Sequence, residues 1–153
     1  MDLMIYETGN GGDLNLVNGD LSITEGITNQ PYLAHFGGNI EASTTGEEKE
    51  GVERFDWFGN SFFPNEPDAQ INSELERGLA NNELSSKGRI ELERLASLDL
   101  EYLSPIADIE SEVSIESDDK VIISDKLIQP SDESENSFIW DATKNELIEE
   151  KNI

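Results

Sequence analysis

The chain contains no cysteine, so disulfide bonds and thiolate metal sites are excluded. Basic residues are also scarce: 10 Lys and Arg side chains stand against 34 Asp and Glu, and the formal net charge is −24. A surface of this sign repels phosphate backbones and anionic lipids, so we expect no nucleic-acid binding and no membrane association. Long apolar runs are missing as well, since no stretch approaches the ~18 residues that span a bilayer.

The N-terminus has neither the basic region nor the apolar region of a signal peptide, so we expect the chain to act where it is made or to leave only inside a particle. Its 153 residues favour one domain, residues 1–153. Hydrophobic content is low, at 35%, but the apolar residues recur with helix and strand periods. A small folded core with acidic margins is therefore expected, rather than disorder.

The first 23 residues predict a β-meander with short strands at 3–6, 14–17 and 21–23. Asn18-Gly19 is a strong hairpin signal, because both central residues of a type I′ turn need positive φ. A short helix is expected over 25–36, with Thr24 as its cap.

Two helices are expected in the centre of the chain. Apolar residues at every fourth position predict the first over 69–80, with Asp68 as its cap. The second begins at Ser85 or Ser86, presents a broad apolar face, and ends near Leu103.

The last third of the chain changes to a period of two residues, which is typical of half-buried strands. We expect strands at 108–116, 121–128 and 137–140 and a short C-terminal helix over 142–150. Acidic, glycine- or serine-containing stretches near 44–53 and 130–137 are interpreted as loops. The predicted fold class is α+β: a small antiparallel sheet with an N-terminal β-meander, two central helices and C-terminal strands.

Catalytic chemistry has little support in the sequence. Carboxylate pairs such as Glu47/Glu48, Glu110/Glu112 and Asp118/Asp119 carry no information in so acidic a chain. The single histidine, His35, is assigned a structural role, and the zincin, P-loop and Rossmann motifs are absent from the sequence. We therefore expect no catalytic residues and no enzyme; a carbohydrate-active hydrolase using paired carboxylates is kept as an alternative.

Two features of the sequence bear on metal binding. Residues 9–16 approach the calcium-binding nonapeptide repeat, but the motif occurs once, so a glycine turn before a strand is preferred. Asp118, Asp119 and Asp125 lack EF-hand spacing. We expect no metal and no cofactor; a secreted or surface calcium-binding interaction module remains an alternative.

The densest aromatic patch lies between residues 55 and 63. It is either a loop folded onto the core or a protein-binding anchor, since Trp and Phe dominate interface energetics. The predicted partner-binding residues are Trp57, Phe58, Phe62 and Phe63.

Two stretches resemble a known family. The run from Asp13 to Asp20 (Asp-Leu-Asn-Leu-Val-Asn-Gly-Asp), followed by a short helix ending at Phe36-Gly37, is similar to the opening of the phage Mu gp46-like tail proteins. The run from Arg54 to Asn60 (Arg-Phe-Asp-Trp-Phe-Gly-Asn) resembles their Trp-Trp-Gly-Asp segment. The resemblance covers roughly residues 10–129.

That family resembles the phage T4 gp25-like baseplate wedge proteins. The resemblance implies a virion structural protein of a contractile tail baseplate, assembled in the host cytoplasm and present in multiple copies in a six-fold assembly. The implied partners are other wedge proteins and tail sheath or tube proteins. One departure is clear: where the gp25-like proteins carry Glu-Pro-Arg after their long helix, this chain has Glu101-Tyr102-Leu103.

Overall fold

The computed structural model describes residues 2–7, 12–24, 26–38, 58–66 and 69–152. Within these ranges three α-helices form: α1 (Gln30–Phe36), α2 (Glu74–Asn81) and α3 (Ser86–Leu100). They accompany ten β-strands, all of which pair antiparallel. The α+β fold class predicted from the sequence is confirmed.

The N-terminal strands form three two-stranded arms. The arms are β1 (Asp2–Leu3) with β6 (Ile23–Thr24), β2 (Ile5–Glu7) with β3 (Gly12–Leu14), and β4 (Leu16–Val17) with β5 (Asp20–Leu21). They meet at a closed ring of backbone hydrogen bonds. Met4 N–H donates to the Ser22 carbonyl, Ser22 N–H to Asn15, and Asn15 N–H to Met4, at 2.8–2.9 Å.

The predicted hairpin between β4 and β5 is present. Asn18 and Gly19 have φ of 55° and 85°. Positive φ at both central residues is what a type I′ turn requires, and these two residue types adopt it at low cost. The expected meander thus exists, but it is divided into three arms.

The larger sheet is a four-stranded antiparallel meander. It contains β7 (Asp108–Ser117), β8 (Lys120–Gln129), β9 (Asp132–Asp141) and β10 (Glu146–Asn152), in the spatial order β10-β9-β8-β7. On β8 every second residue is buried: Val121, Ile123, Asp125 and Leu127. Because side chains alternate between the two faces of a strand, these four define the inner face of the sheet.

Helices α2 and α3 pack together, and α3 packs on β7. The α2–α3 contact is close at Gly78, where an added Cβ would lie 2.4 Å from Leu95 Cδ1. Serines cap both helices: the Ser73 hydroxyl accepts from Glu76 N–H, and the Ser85 hydroxyl accepts from Gly88 N–H. The main core cluster comprises Phe36, Leu75, Leu79, Leu92, Leu95, Ala96, Val113, Val121, Ile123, Phe138 and Trp140.

Helix boundaries differ from the prediction at their N-termini. The helix expected over 25–36 begins only at Gln30, and its expected cap Thr24 belongs to β6. The helix expected over 69–80 begins at Glu74, because Ser73 supplies the cap. The long helix begins after Ser85, as predicted, and a 3₁₀ turn at Glu101–Leu103 continues it to the expected end.

The C-terminal predictions are wrong in two places. The stretch 130–137 is not a loop, because β9 begins at Asp132 and pairs with β8 along its whole length. The short helix expected over 142–150 is replaced by a turn and β10. Asn145 closes that turn with a φ of 58°, and hydrogen bonding to β9 outweighs the weak helical preference of the segment. The expected loop at 44–53 lies outside the described residues.

Candidate functional site

The predicted aromatic anchor is described only in part. Trp57 lies outside the described residues, and Phe58 opens the 3₁₀ helix Phe58–Phe62. Phe62 is 72% exposed and Phe63 is 40% exposed. The structure therefore places two of the four predicted side chains at the surface.

The buried side chain of Asn60 holds this aromatic segment in place. Its Nδ2 donates to the Ile71 carbonyl at 2.9 Å, and Ile71 N–H donates back to its Oδ1 at 2.8 Å. The Phe63 carbonyl also accepts from Gln70 Nε2 at 2.6 Å. The turn that carries Phe62 and Phe63 is thus held by hydrogen bonds to Gln70 and Ile71, which precede α2.

A buried network of His35 and two carboxylates is the main polar site in the described ranges. His35 Nε2 lies 2.9 Å from Asp125 Oδ2, and Nδ1 lies 3.2 Å from Asp99 Oδ2. His35 and Asp125 are completely buried, and the Asp99 side chain is 2% exposed. The network joins α1, α3 and β8.

Both carboxylates have further donors. Asp125 accepts from the Ser111 hydroxyl at 2.6 Å. Asp99 accepts from the backbone N–H groups of Glu74 and Leu75 at 2.9 and 3.0 Å. Because these N–H groups open α2, the Asp99 carboxylate also satisfies the N-terminus of that helix.

The pKa of His35 is raised to about 9. The largest single contribution, burial, lowers it, but the charge of Asp125 and the hydrogen bonds and charges of both aspartates together outweigh burial. His35 is therefore an imidazolium at neutral pH, and both ring nitrogens donate. A cation between two carboxylates satisfies buried groups that would be costly alone.

Two neighbouring groups respond to the same charges. Burial raises the pKa of Glu76 to about 8, and the Asp99 charge adds to the effect. Burial, followed by the Asp99 charge, raises the pKa of Tyr102 to about 12. Both groups thus favour their neutral forms beside the network.

The network fits the structural role expected for His35. Its ring is completely enclosed, and its edge faces Phe138, with centroids 6.0 Å apart. A general base must reach a substrate proton within hydrogen-bond distance, and this ring offers no such approach.

The register of the sheet explains how Asp125 and Ser111 come together. Ser111, Asp125 and Asn136 are direct cross-strand neighbours on β7, β8 and β9. Asn136 Nδ2 donates to the carbonyl of Thr28, a residue that precedes α1. This polar row lies between the apolar rows that contain Ile123 and Leu127.

Two patterns in the sequence could have revealed the network. Asp125 occupies a core position in the alternation of β8, and Asp99 lies seven residues after Leu92 on the buried face of α3. A charged residue at a core position needs a buried partner. His35 and Asp125 were predicted separately from the sequence, and Asp99 was not predicted.

A second carboxylate pair joins the N-terminal strands to the sheet. Glu7 is 5% exposed and accepts from the Tyr32 hydroxyl at 3.1 Å. The pKa of Glu150 on β10 is raised to about 7: burial raises it most, a hydrogen bond from the Glu7 backbone lowers it, and the Glu7 charge raises it. This pair lies where β2 meets β10.

The residues of the calcium alternative do not come together. Asp118 and Asp119 form the exposed β7–β8 turn, whereas Asp125 is buried about 20 Å further along β8, at ~3.3 Å per residue. In the described ranges, no group of three or more His, Cys, Asp or Glu side chains is placed to hold a metal ion. Of the nonapeptide-like stretch 9–16, residues 9–11 lie outside the described residues.

The carboxylate pairs considered for hydrolysis are also scattered. Glu110 and Glu112 lie on the exposed face of β7, and Asp118 and Asp119 lie in a turn. Glu47 and Glu48 are outside the described residues. In the part of the chain that the structure covers, no helix is both long enough and apolar enough to cross a membrane.

Comparison with known proteins finds no matching family model, no matching curated protein and no matching solved structure. The fold itself therefore defines the class of this protein: a small α+β protein whose helices cover an antiparallel sheet.

Proposed function

We propose that the chain is a non-catalytic structural subunit of a contractile phage tail baseplate wedge. It joins neighbouring wedge proteins and links the wedge to the tail sheath or tube. It is present in several copies in a six-fold assembly, and it needs no cofactor.

The observation that carries the proposal is the exposure of large apolar side chains on structured segments. Phe62 is 72% exposed on a 3₁₀ helix, and Leu16 and Ile23 are 63% and 58% exposed on paired strands. Exposed apolar surface on a folded domain is typical of contact sites for other proteins. Exposed aromatic rings are also the side chains that most often dominate binding energy.

The wedge assignment is supported by the order of the elements. N-terminal strands, a short helix, an aromatic segment, two helices and acidic strands follow one another as the sequence resemblance implies. The buried state of His35 supports a structural role over a catalytic one, since the best-organised polar groups are closed to substrates.

The proposal is tested by producing the particles without this chain and imaging them by negative-stain electron microscopy. We expect incomplete baseplates or tails without sheath, restored by supplying the wild-type chain. Complete, contractile tails formed in the absence of the chain would contradict the proposal.

A further inference from the structure

The junction of the three N-terminal arms carries a coherent apolar face. Neighbouring residues on a strand point to opposite faces, so the residues before and after Met4, Asn15 and Ser22 share one side. All six of these residues are aliphatic, and they oppose each other in pairs: Leu3 with Ile23, Ile5 with Leu14, and Leu16 with Leu21. We name these six residues the junction face.

The side chains of Met4 and Asn15 lie on the opposite side of the junction. Asn15 Nδ2 lies 3.7 Å from Met4 Sδ, which places these two side chains together. Asn29 holds the outer edge beside Met4: its Nδ2 donates to the Leu3 carbonyl at 2.7 Å, and its Oδ1 accepts from Ile5 N–H at 3.3 Å. Asn29 thus fixes the junction along its backbone edge and leaves the junction face uncovered.

The junction face is largely exposed to solvent. Leu16 and Ile23 are 63% and 58% exposed, and Leu3, Leu14 and Leu21 are 40–42% exposed. Fully burying a Leu or Ile side chain is worth about 1.5–3 kcal/mol. Two-stranded arms are only marginally stable by themselves, so a cover over this face stabilises both the contact and the arms.

Charge decides which kind of molecule covers it. The first 48 residues contain no Lys or Arg, and the carboxylates of Asp2 and Asp20 lie at the strand edges, where they accept from the N–H groups of Leu3 and Leu21. A second copy of this chain brings a further −24 charges and is repelled, as is an anionic lipid surface. A protein surface with an apolar centre and a basic rim matches both the junction face and the acidic strand edges beside it.

We propose that the junction face docks into an apolar groove bordered by Lys and Arg on a neighbouring protein. This inference rests on the proposed function, because the neighbouring protein is expected to belong to the assembled particle. It names a contact surface that differs from the aromatic segment around Phe62.

The first test replaces Leu16 by a photo-crosslinking amino acid in the full chain and irradiates assembled particles. We expect a cross-link to a different protein, at a site flanked by Lys or Arg. Replacement of exposed Ile90 on α3 by the same amino acid is the matched control and should not yield that product. A chain that is incorporated but forms no cross-link from Leu16, or forms one only within itself, overturns the inference and leaves the proposed function standing.

The second test compares the Leu16→Gln/Leu21→Gln chain with an Ile90→Gln/Leu98→Gln control. Both pairs are exposed, so both variants should fold like the wild type, as checked by circular dichroism. We expect the Leu16/Leu21 variant alone to lose at least about tenfold in incorporation, a ratio of ~1.4 kcal/mol. Equal incorporation of the two variants overturns the inference.

Measurements on the isolated chain test two other occupants of the junction face, a second copy of the chain and a lipid surface. Sedimentation velocity should show a monomer at low and high salt, and flotation with phosphatidylserine-containing vesicles should show no binding. A dimer lost on Leu16→Gln/Leu21→Gln substitution, or vesicle binding lost in the same way, would assign the junction face to self-association or to lipid and overturn the inference.

Discussion

Replacing His35 by Gln removes the positive charge that lies between the buried carboxylates of Asp99 and Asp125. A Gln amide can donate hydrogen bonds, but it cannot neutralise two carboxylates that remain in the core. Breaking a buried ion pair from one side typically costs about 3–5 kcal/mol. Domains of this size are stable by only about 5–15 kcal/mol, so the variant should lose a large part of its stability.

The pH dependence of this loss has a definite sign. The folded pKa of His35 is about 9, above its ordinary value of 6.5, so folding favours the protonated ring. The resulting stability is fully present below pH 6.5 and is lost as the pH rises through 9. The difference between the two pKa values corresponds to about 3 kcal/mol.

Other buried groups change stability in the same direction, so the wild type alone does not isolate His35. Glu76 has a folded pKa of about 8 against an ordinary 4.5, because burial disfavours its charge. Its contribution is present below pH 4.5 and is lost as the pH rises through 8. The difference between wild type and His35→Gln, followed from pH 6 to pH 9.5, reports the histidine.

The assay is urea unfolding monitored by the fluorescence of buried Trp140. Lys144→Gln is the matched control, since it removes one positive charge from a side chain that is 63% exposed and should change stability by less than about 0.5 kcal/mol. Asp125→Asn retains the Ser111 contact and should lower the His35 pKa with a smaller loss of stability. A His35→Gln chain as stable as the wild type at pH 6, or a difference that does not shrink toward pH 9.5, would refute the charged network.

Three further outcomes are expected. Phe62→Ala should leave the free energy of unfolding unchanged, because the side chain is exposed. If Phe62 is an anchor, the substitution should weaken assembly, measured as incorporation into particles, by about 2 kcal/mol or more. Normal incorporation would show that Phe62 is not part of the contact. Asn60→Ala loses both hydrogen bonds to Ile71 and should lower stability by about 1–3 kcal/mol in urea unfolding. An unchanged midpoint would mean that water replaces the Asn60 side chain as the partner of Ile71. Glu150→Gln mimics the neutral acid and should raise the melting temperature at pH 8.5 but not at pH 4; a gain of equal size at both values would show that the Glu150 charge is not responsible.

The fold class follows from local patterns that the tertiary structure leaves in place. Alternation predicted β7 and β8, the Asn18-Gly19 turn predicted the hairpin between β4 and β5, and the Ser85 cap predicted the start of α3. Each signal is local, because it depends on residues adjacent in sequence.

The errors arise where distant pairing decides the local structure. The first half of β9 is acidic and polar, with low strand preference, and it is extended because β8 supplies a complete ladder of partners. The segment 146–152 has weak helical preference and is extended for the same reason. The ring at Met4, Asn15 and Ser22 joins residues up to 18 positions apart, and no local signal marks it.

In the candidate site, too, the features that depend on residues adjacent in sequence were predicted, and those that depend on distant packing were not. The aromatic patch is visible in the sequence, whereas the exposure of Phe62 and Phe63 is seen only in the structure. The network of His35, Asp99 and Asp125 depends on the packing of α1, α3 and β8 together, with partners 64 and 90 residues apart. In the sequence, the only sign of this network is that Asp99 and Asp125 occupy positions where the pattern predicts buried apolar residues.

Mass spectrometry of intact particles purified from the source tests the wedge proposal most directly. The proposal predicts that this chain is present at a constant ratio of about six or twelve copies per tail, as a six-fold symmetric baseplate requires. Absence of the chain from purified particles, or a ratio that varies between preparations, would contradict it.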